Sequence, residues 1–179
     1  MNMKKITVGD KSFVSFLSAE MIAEKVAQIA EAIDKDYEGK RPLFLAVLNG
    51  SFIFAADLFK RITVEAEISF IKLASYKGTS SSGSIITAIG LEESIFERHI
   101  ILLEDIIDTG KTFNSFIPQL MHQQPASVKI AALLSKPDAL QYPVSIDYKG
   151  FEIPNKFVVG YGLDYDGLGR NYPEIYQLA

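Results

Sequence analysis

The chain has 179 residues, 48% of them hydrophobic and 22% charged, which is typical of a globular protein. It has no cysteine and only two histidines, so disulfides, thiol nucleophiles and histidine-rich zinc sites are excluded. A formal net charge of −4 provides no broad basic field for nucleic acid, and residues 1–10 lack a long apolar run. We therefore expect one cytoplasmic domain over residues 1–179, with neither nucleic acid nor a membrane as partner.

The first third of the chain predicts a helix, a strand and a second helix. Ser18 is a candidate N-cap for a helix that ends near residues 34–40. Residues 43–48 form a buried-strand pattern that breaks at residues 49–51, and residues 52–62 resume a helical pattern. The apolar residues at helical spacing after Ser18 are Met21, Ile22, Val26, Ile29, Ala30 and Ile33.

The next third predicts two strands around a polar loop. Residues 66–74 are strand-like, and residues 76–84 are rich in Lys, Gly, Thr and Ser. Because such a loop buries little apolar surface, we expect it to be mobile without a ligand. Residues 85–89 predict another strand, followed by a polar connection.

The central segment carries the chemistry. An apolar run, residues 100–103, ends in Glu104 and Asp105, and Asp108 begins an Asp-Thr-Gly-Lys-Thr turn. A strand that ends here places the two acids at the tip of a sheet, and the turn leads into a helix whose free amides and dipole favour phosphate. Carboxylates bind sugar hydroxyls or magnesium, so the segment predicts a site for a phosphorylated sugar. The alternative is a solvated strand end with helix-capping acids.

The last third predicts one helix and three more strands. The helix contains Pro118, which shortens or bends helices. The strand patterns lie at residues 128–134, 142–151 and 156–160. Strands that alternate with helices predict an α/β fold with a mainly parallel sheet, whose ligands bind beyond the carboxyl ends of the strands. Those ends are expected after Leu48, Ala74, Leu103 and Leu134.

Two common nucleotide-binding motifs are excluded. A triphosphatase P-loop around Gly110-Lys111-Thr112 requires a glycine at position 105, where the chain has an aspartate. The Gly-x-Gly pairs at residues 160–162 and 167–169 both lack the third glycine of the dinucleotide fingerprint.

Residues 102–112 resemble the motif that binds phosphoribosyl pyrophosphate (PRPP) in type I phosphoribosyltransferases. The resemblance extends almost end to end. Residues 47–51 resemble the pyrophosphate-binding first loop of this family, and Ser75-Tyr76 resembles the start of its mobile second loop, a lid. The implied fold is a mainly parallel twisted sheet flanked by helices, with a small hood formed by about residues 1–18 and 150–179. The segments that resemble the hypoxanthine-guanine branch are Lys136, residues 156–164 and Arg170.

The resemblance also implies roles for individual residues. Glu104 and Asp105 hold the ribose hydroxyls and a first Mg²⁺, Asp164 holds a second Mg²⁺, and Asp108 is the general base at N7 of the purine. The implied PRPP and phosphate contacts are Glu104, Asp105, Asp108, Thr109, Gly110, Lys111, Thr112, Asn49, Gly50 and Arg170. The implied purine contacts are Ile106, Lys136, Lys156, Phe157, Val158 and Asp164. The implied lid residues are Ser75 and Tyr76.

Four of these side chains also have an ordinary structural explanation that needs no ligand. Asp108 fits a helix cap, Lys136 a strand end, Phe157 a core position and Arg170 a surface cation. Three departures from the family pattern are present. Asn49 stands where relatives often have lysine, residues 138–140 contain no arginine, and residues 166–169 are unusually rich in glycine.

The implied activity is Mg²⁺-dependent transfer of a 5-phosphoribosyl group from PRPP to N9 of hypoxanthine or guanine, by a homodimer or homotetramer. The products are IMP or GMP and pyrophosphate. One alternative is the same reaction with xanthine, adenine or a pyrimidine. The other is a PRPP-sensing regulator that binds nucleic acid, which the acidic composition disfavours.

Overall fold

The computed structural model describes residues 4–76 and 85–179, with the backbone alone at residues 74–76 and 85–89. The α-helices are α1 (Ala19–Asp36), α2 (Phe52–Phe59) and α3 (Lys111–Met121). The strands are β1 (Lys5–Val8), β2 (Lys11–Leu17), β3 (Leu43–Leu48), β4 (Glu67–Tyr76), β5 (Ile85–Ile89), β6 (His99–Ile107), β7 (Ser127–Ser135), β8 (Tyr148–Glu152), β9 (Val158–Val159) and β10 (Ile175–Leu178). None of the helices described is long and apolar enough to cross a membrane.

The larger sheet has six strands in the order β5-β4-β3-β6-β7-β8. All neighbours pair in parallel except β5, which runs antiparallel to β4 at the edge. Residues of α1 and α2 pack on one face of this sheet and residues of α3 on the other. The predicted α/β fold with a mainly parallel sheet is confirmed.

The smaller sheet joins the two ends of the chain. Its order is β1-β2-β10-β9, and all of its pairs are antiparallel. This confirms the predicted hood of N- and C-terminal segments. The sequence analysis assigned no strand to β1, β2 or β10, because these short segments mix polar and apolar residues and find their partners only across the whole chain.

Helix α1 follows its sequence pattern closely. Ser18 is the N-cap and its Oγ accepts a hydrogen bond from the Met21 amide at 3.3 Å. Met21 itself is 47% exposed, so its assignment to the apolar face was wrong. The buried residues of the helix are Ile22, Val26, Ile29, Ala30 and Ile33.

Strand β6 is longer than predicted. It ends at Ile107 rather than Leu103, so Glu104 and Asp105 lie within the strand. The extension is stable because β7 continues beside it, with Ile107 opposite Ser135 in the parallel register. On its other side, pairing with β3 ends at Leu103. The two acids therefore lie where β6 has a strand neighbour on only one side.

Several other boundaries also differ from the predictions. β4 continues to Tyr76, two residues beyond the expected end, because β5 pairs with it up to that point. α2 ends at Phe59 rather than residue 62, and β8 starts only at Tyr148. α3 contains Pro118 and still spans 11 residues.

Candidate active site

A cavity of about 270 Å³ opens at the carboxyl end of β6, in the middle of the parallel sheet. It collects most of the residues predicted from the central segment. The lining residues are Val47, Leu73, Glu104, Ile106, Ile107, Asp108, Thr109, Gly110, Lys111, Thr112 and Phe113. Leu73 and Phe113 lie outside the predicted motifs, and Val47 and Ile107 lie within them but were given no role, because such apolar side chains are typical of ordinary strand and helix packing.

The two adjacent carboxylates of β6 have different surroundings. Glu104 lines the cavity, whereas Asp105 is 8% exposed and packs against Gly50. Consecutive strand residues start toward opposite faces, so the two side chains have different neighbours, but their carboxyl groups remain close enough to interact. Burial raises the pKa of Glu104 well above its ordinary value, and the negative charge of Asp105 raises it further. No basic side chain among the described residues lowers it, so this carboxyl is suited to a cation or to hydroxyl donors.

The turn after β6 presents an anion-binding helix terminus. α3 begins after its N-cap Gly110, so the amides of its first turn have no partner within the helix. The Lys111 amide donates to Thr109 Oγ1 at 3.4 Å, which folds the turn back on itself. Lys111 and Thr112 are exposed beside the cavity. These amides, the hydroxyls and the helix dipole together favour a phosphate group.

Asp108 is paired with a lysine that directly follows the neighbouring strand β7. Lys136 Nζ lies 3.1 Å from Asp108 Oδ2, and the lysine side chain is 8% exposed while the aspartate is 48% exposed. The N-cap of α3 is Gly110, and Asp108 forms no capping bond to that helix. The helix-capping explanation of Asp108 is therefore not observed, and Asp108 lines the cavity.

The loop between β3 and α2 lies directly against β6. The peptide bond between Leu48 and Asn49 is cis. Ser51 is fully buried and its Oγ donates to Val47 O at 2.6 Å, which closes the loop. A methyl group on Gly50 would overlap the Asp105 carboxylate, so only glycine permits this approach. Asn49 is exposed at the loop surface.

The hood adds the C-terminal candidates to the same region. Gly162, at φ +100°, abuts the carbonyl of Gly50 so closely that a methyl group would not fit. Arg170 Nη1 donates to Gly162 O at 2.6 Å, and Arg170 Nη2 lies 2.8 Å from Asp164 Oδ1. Asp164 also accepts the Gly167 amide at 2.7 Å. Asp164 and Arg170 therefore form one ion pair that borders the loop carrying Gly50.

Phe157 is the exposed aromatic of the hood. Its ring is 45% exposed and packs on one side against Phe13 at 6.3 Å and Tyr165 at 5.9 Å between centroids. Lys156 is exposed beside it, and Val158 is buried in β9. Phe157 is thus no core residue, and its exposed surface is available for stacking.

The described residues include only the start of the predicted lid. Ser75 and Tyr76 lie at the end of β4, opposite Ile86 and Ile85 of β5. The rest of the predicted loop, residues 77–84, lies outside the described residues. Contacts thus connect Asp105 of β6 to Gly50, and Gly50 through Gly162 to the Asp164–Arg170 pair. Among the described residues, Lys156 makes no contact with this group.

The chain was compared with known proteins. The profile of the phosphoribosyl transferase domain family matches residues 15–166. A hypoxanthine-guanine phosphoribosyltransferase of Lactococcus lactis is 42% identical over 168 residues, which cover 93% of this chain and 91% of that protein. The chain belongs to the hypoxanthine-guanine phosphoribosyltransferase family. The resemblance inferred from the motifs is therefore confirmed.

Solved structures of the family agree with the fold. A hypoxanthine-guanine phosphoribosyltransferase of Bacillus anthracis superposes with a TM-score of 0.85 at 33% identity, over 99% of both chains. A hypoxanthine phosphoribosyltransferase of Staphylococcus aureus superposes with a TM-score of 0.86 at 36% identity, over 92% of this chain and 90% of that one.

Proposed function

We propose that this enzyme transfers the 5-phosphoribosyl group of PRPP to N9 of hypoxanthine or guanine and releases pyrophosphate, with Mg²⁺ as cofactor. The observation that carries the choice of base is the Asp108–Lys136 pair. N7 and the 6-oxo group of a 6-oxopurine lie side by side on one edge of the ring. A carboxylate that accepts the N7 proton and an ammonium that donates to the oxygen match this edge, and neither 6-aminopurines such as adenine nor pyrimidines offer the same pattern.

Aromatic packing supports the same assignment. The exposed ring of Phe157 serves as a platform for one face of the base, and Ile106 at the cavity contacts the other. Val158 reads the base edge through its backbone, and Lys156 flanks it.

The sugar and phosphates of PRPP fit the remaining groups. The first turn of α3 holds the 5′-phosphate with the amides of residues 110–112 and the hydroxyls of Thr109 and Thr112. Glu104 and Asp105 bind the ribose hydroxyls. Asn49-Gly50 and Arg170 bind the pyrophosphate, for which a planar guanidinium is well suited.

Magnesium fits the carboxylates of this site. No cluster of three or more Asp, Glu or His side chains forms an all-protein metal site within residues 4–76 and 85–179. Mg²⁺ typically takes one or two carboxylates from the protein and completes its shell with water and substrate phosphates. Glu104 and Asp105 would hold one ion and Asp164 a second. When bound, Mg²⁺ neutralises the charge that develops on the departing pyrophosphate.

Catalysis then comes from positioning and from electrostatics. The cavity holds C1′ of the ribose against N9, the C1′–oxygen bond to pyrophosphate breaks, and the N9–C1′ bond forms. Asp108 accepts the proton that leaves N7, and Lys136 stabilises the 6-oxo group. Ser75 and Tyr76 begin a lid that excludes water from the reacting centre.

An assay with radiolabelled hypoxanthine, PRPP and Mg²⁺ tests this function directly. Labelled IMP is expected, and unlabelled guanine should compete while adenine and uracil should not. Failure to form nucleotide from any 6-oxopurine refutes the proposal. Strong competition by adenine or uracil points instead to the same reaction with another base.

We further propose assembly as a homodimer or homotetramer. Two large apolar side chains, Phe52 on α2 and Phe70 on β4, are 41% and 44% exposed. A second copy of the chain would cover such surface. Light scattering at micromolar concentration tests this, and a mass of one chain would contradict it.

A further inference from the structure

A hydrogen bond outside the cavity connects the hood to helix α2, which packs on the larger sheet. Tyr161 Oη donates to Asp57 Oδ2 at 2.7 Å. Tyr161 lies in the hood turn of residues 160–163, directly after β9, and is 5% exposed. Asp57 lies in the second turn of α2. The bond therefore fastens two segments that are 104 positions apart in the chain.

The backbone of this turn needs an external restraint. Tyr161 has φ +51°, in the left-handed region that residues other than glycine rarely adopt. Such a conformation persists where the surroundings hold it. Tyr161 N donates to Tyr172 O at 2.7 Å within the hood, and the Asp57 bond is the hydrogen bond that its side chain makes across to α2.

The residue after Tyr161 contacts both proposed pyrophosphate-binding elements. Gly162 abuts the carbonyl of Gly50, and its own carbonyl accepts Arg170 Nη1 at 2.6 Å. The Gly162 amide also donates to Arg170 O at 3.0 Å. A shift of the turn would therefore displace the Arg170 guanidinium and the Gly50 backbone together.

Asp57, the acceptor of this hydrogen bond, is also connected to the loop that carries Gly50. Asp57 belongs to α2, which begins at Phe52 immediately after the loop of residues 49–51. Gly50 in that loop packs on Asp105. The hydrogen bond thus holds the helix behind the first loop and the turn above it at a constant separation.

We propose that Tyr161 and Asp57 form a positioning pair that keeps Gly50 and Arg170 in the arrangement that binds the pyrophosphate group of PRPP. The pair touches neither substrate nor reacting atoms and acts through Gly162. The proposal rests on the function proposed above. It predicts an effect on PRPP that is not shared by the purine base, because the contacts of Gly162 lead to Gly50 and Arg170, whereas Phe157 packs on Phe13 and Tyr165 and Lys136 pairs with Asp108.

The test measures PRPP binding to the full chain by calorimetry with Mg²⁺, together with the KM for PRPP and for hypoxanthine. In Tyr161→Phe the ring remains and only the hydroxyl is lost. We expect the affinity for PRPP to fall about tenfold, the cost of one hydrogen bond to a charged acceptor, with the KM for hypoxanthine unchanged.

Tyr148→Phe is the matched control. Tyr148 Oη donates to Asp36 Oδ2 at 2.7 Å, and Tyr148 is 6% exposed, so it loses an equivalent tyrosine–aspartate bond. It begins β8 and bonds the end of α1, away from the cavity. PRPP binding should be unchanged in this variant.

Asp57→Ala removes the acceptor of the same hydrogen bond, on α2. This variant is used in place of Tyr161→Phe if the latter does not fold. Asp57→Asn keeps an acceptor oxygen and should recover most of the affinity. The double variant Tyr161→Phe/Asp57→Ala should be no weaker than either single change.

Unchanged PRPP affinity in Tyr161→Phe and Asp57→Ala overturns the positioning role, as does an equal loss in the Tyr148→Phe control. Wild-type chain that binds no PRPP overturns the proposed function and this inference with it. Wild-type chain that binds PRPP and forms IMP while the Tyr161 variant behaves identically overturns the inference alone.

Discussion

Lys136 Nζ lies 3.1 Å from Asp108 Oδ2, although the two residues are 28 positions apart in the chain. The lysine is the buried partner and the aspartate the half-exposed one. Burying an ammonium group costs free energy unless a carboxylate accompanies it, so the contact with Asp108 offsets the cost of burying the Lys136 side chain. The same contact restrains the carboxylate of Asp108, which lines the cavity.

Asp108→Asn should remove the general base and preserve the shape of the turn. We expect kcat to fall by about 10²- to 10⁴-fold while PRPP binding is retained. Steady-state kinetics and calorimetry with PRPP and Mg²⁺ measure the two quantities. An equal loss of PRPP affinity would show that Asp108 is mainly a scaffold of the phosphate-binding turn.

Lys136→Gln should weaken binding of the purine base and have little effect on binding of PRPP. Loss of the donor to the 6-oxo group is expected to raise the KM for hypoxanthine by roughly 10- to 100-fold, with a much smaller change in the KM for PRPP. Lys149→Gln is the control, because Lys149 is an exposed lysine that pairs with Glu152. The prediction is contradicted if the two KM values rise in parallel.

Glu104→Gln should stabilise the ligand-free protein at neutral pH and abolish most Mg²⁺-dependent PRPP binding. Folding raises the pKa of Glu104 above its ordinary value of 4.5, so the folded state favours the protonated acid. The wild type therefore loses stability relative to the glutamine variant as pH rises from 4.5 through the pKa of the folded state.

The melting temperatures of the wild type and of Glu104→Gln should accordingly converge near pH 4.5 and diverge toward pH 8, with that of the variant higher. Each kcal/mol of difference in unfolding free energy corresponds to about 2–4 °C. Scanning calorimetry without Mg²⁺ or PRPP measures this. Glu24→Gln, a change at an exposed position of α1, should show no such divergence. A wild type that is the more stable at pH 8 would reverse the sign and refute the prediction.

Gly50→Ala should damage the site through steric overlap. The added methyl group would displace the Asp105 carboxylate, at a cost of about 1–3 kcal/mol in stability and with a large loss of PRPP affinity. Gly39→Ala is the comparison. Gly39 has φ +68° but nothing within 4 Å of the new methyl group, so that variant should lose about 1–2 kcal/mol of stability and no PRPP affinity. Chemical denaturation and calorimetry separate the two effects.

The features that were predicted correctly from the sequence depend on residues that are close together in the chain. α1, β3 and the course of the chain from β6 into α3 follow from capping, hydrophobic periodicity and the glycine-containing turn, which depend on neighbouring residues. The phosphate-binding character of residues 108–112 is equally local, since the turn and the helix terminus are adjacent in the chain.

Other features were not predictable because their partners are distant in the chain. The hood strands β2 and β10 pair with each other although they lie at opposite ends of the chain. The end of β6 was misplaced because its last residues are held by β7, so that pairing overrides the preference of acidic residues for loops. Met21 was assigned to the wrong face of α1, since the width of a buried helix face depends on what packs against it.

From the sequence alone came the fold class, the order of the main elements and the residue types available for binding phosphate, sugar and purine. Only the tertiary structure decided which of these residues meet. It paired Lys136 with Asp108, placed Gly50 on Asp105 and bonded Tyr161 to Asp57. The physical reason is that helix and turn preferences act between near neighbours, whereas such contacts depend on how the sheet and hood bring distant segments together.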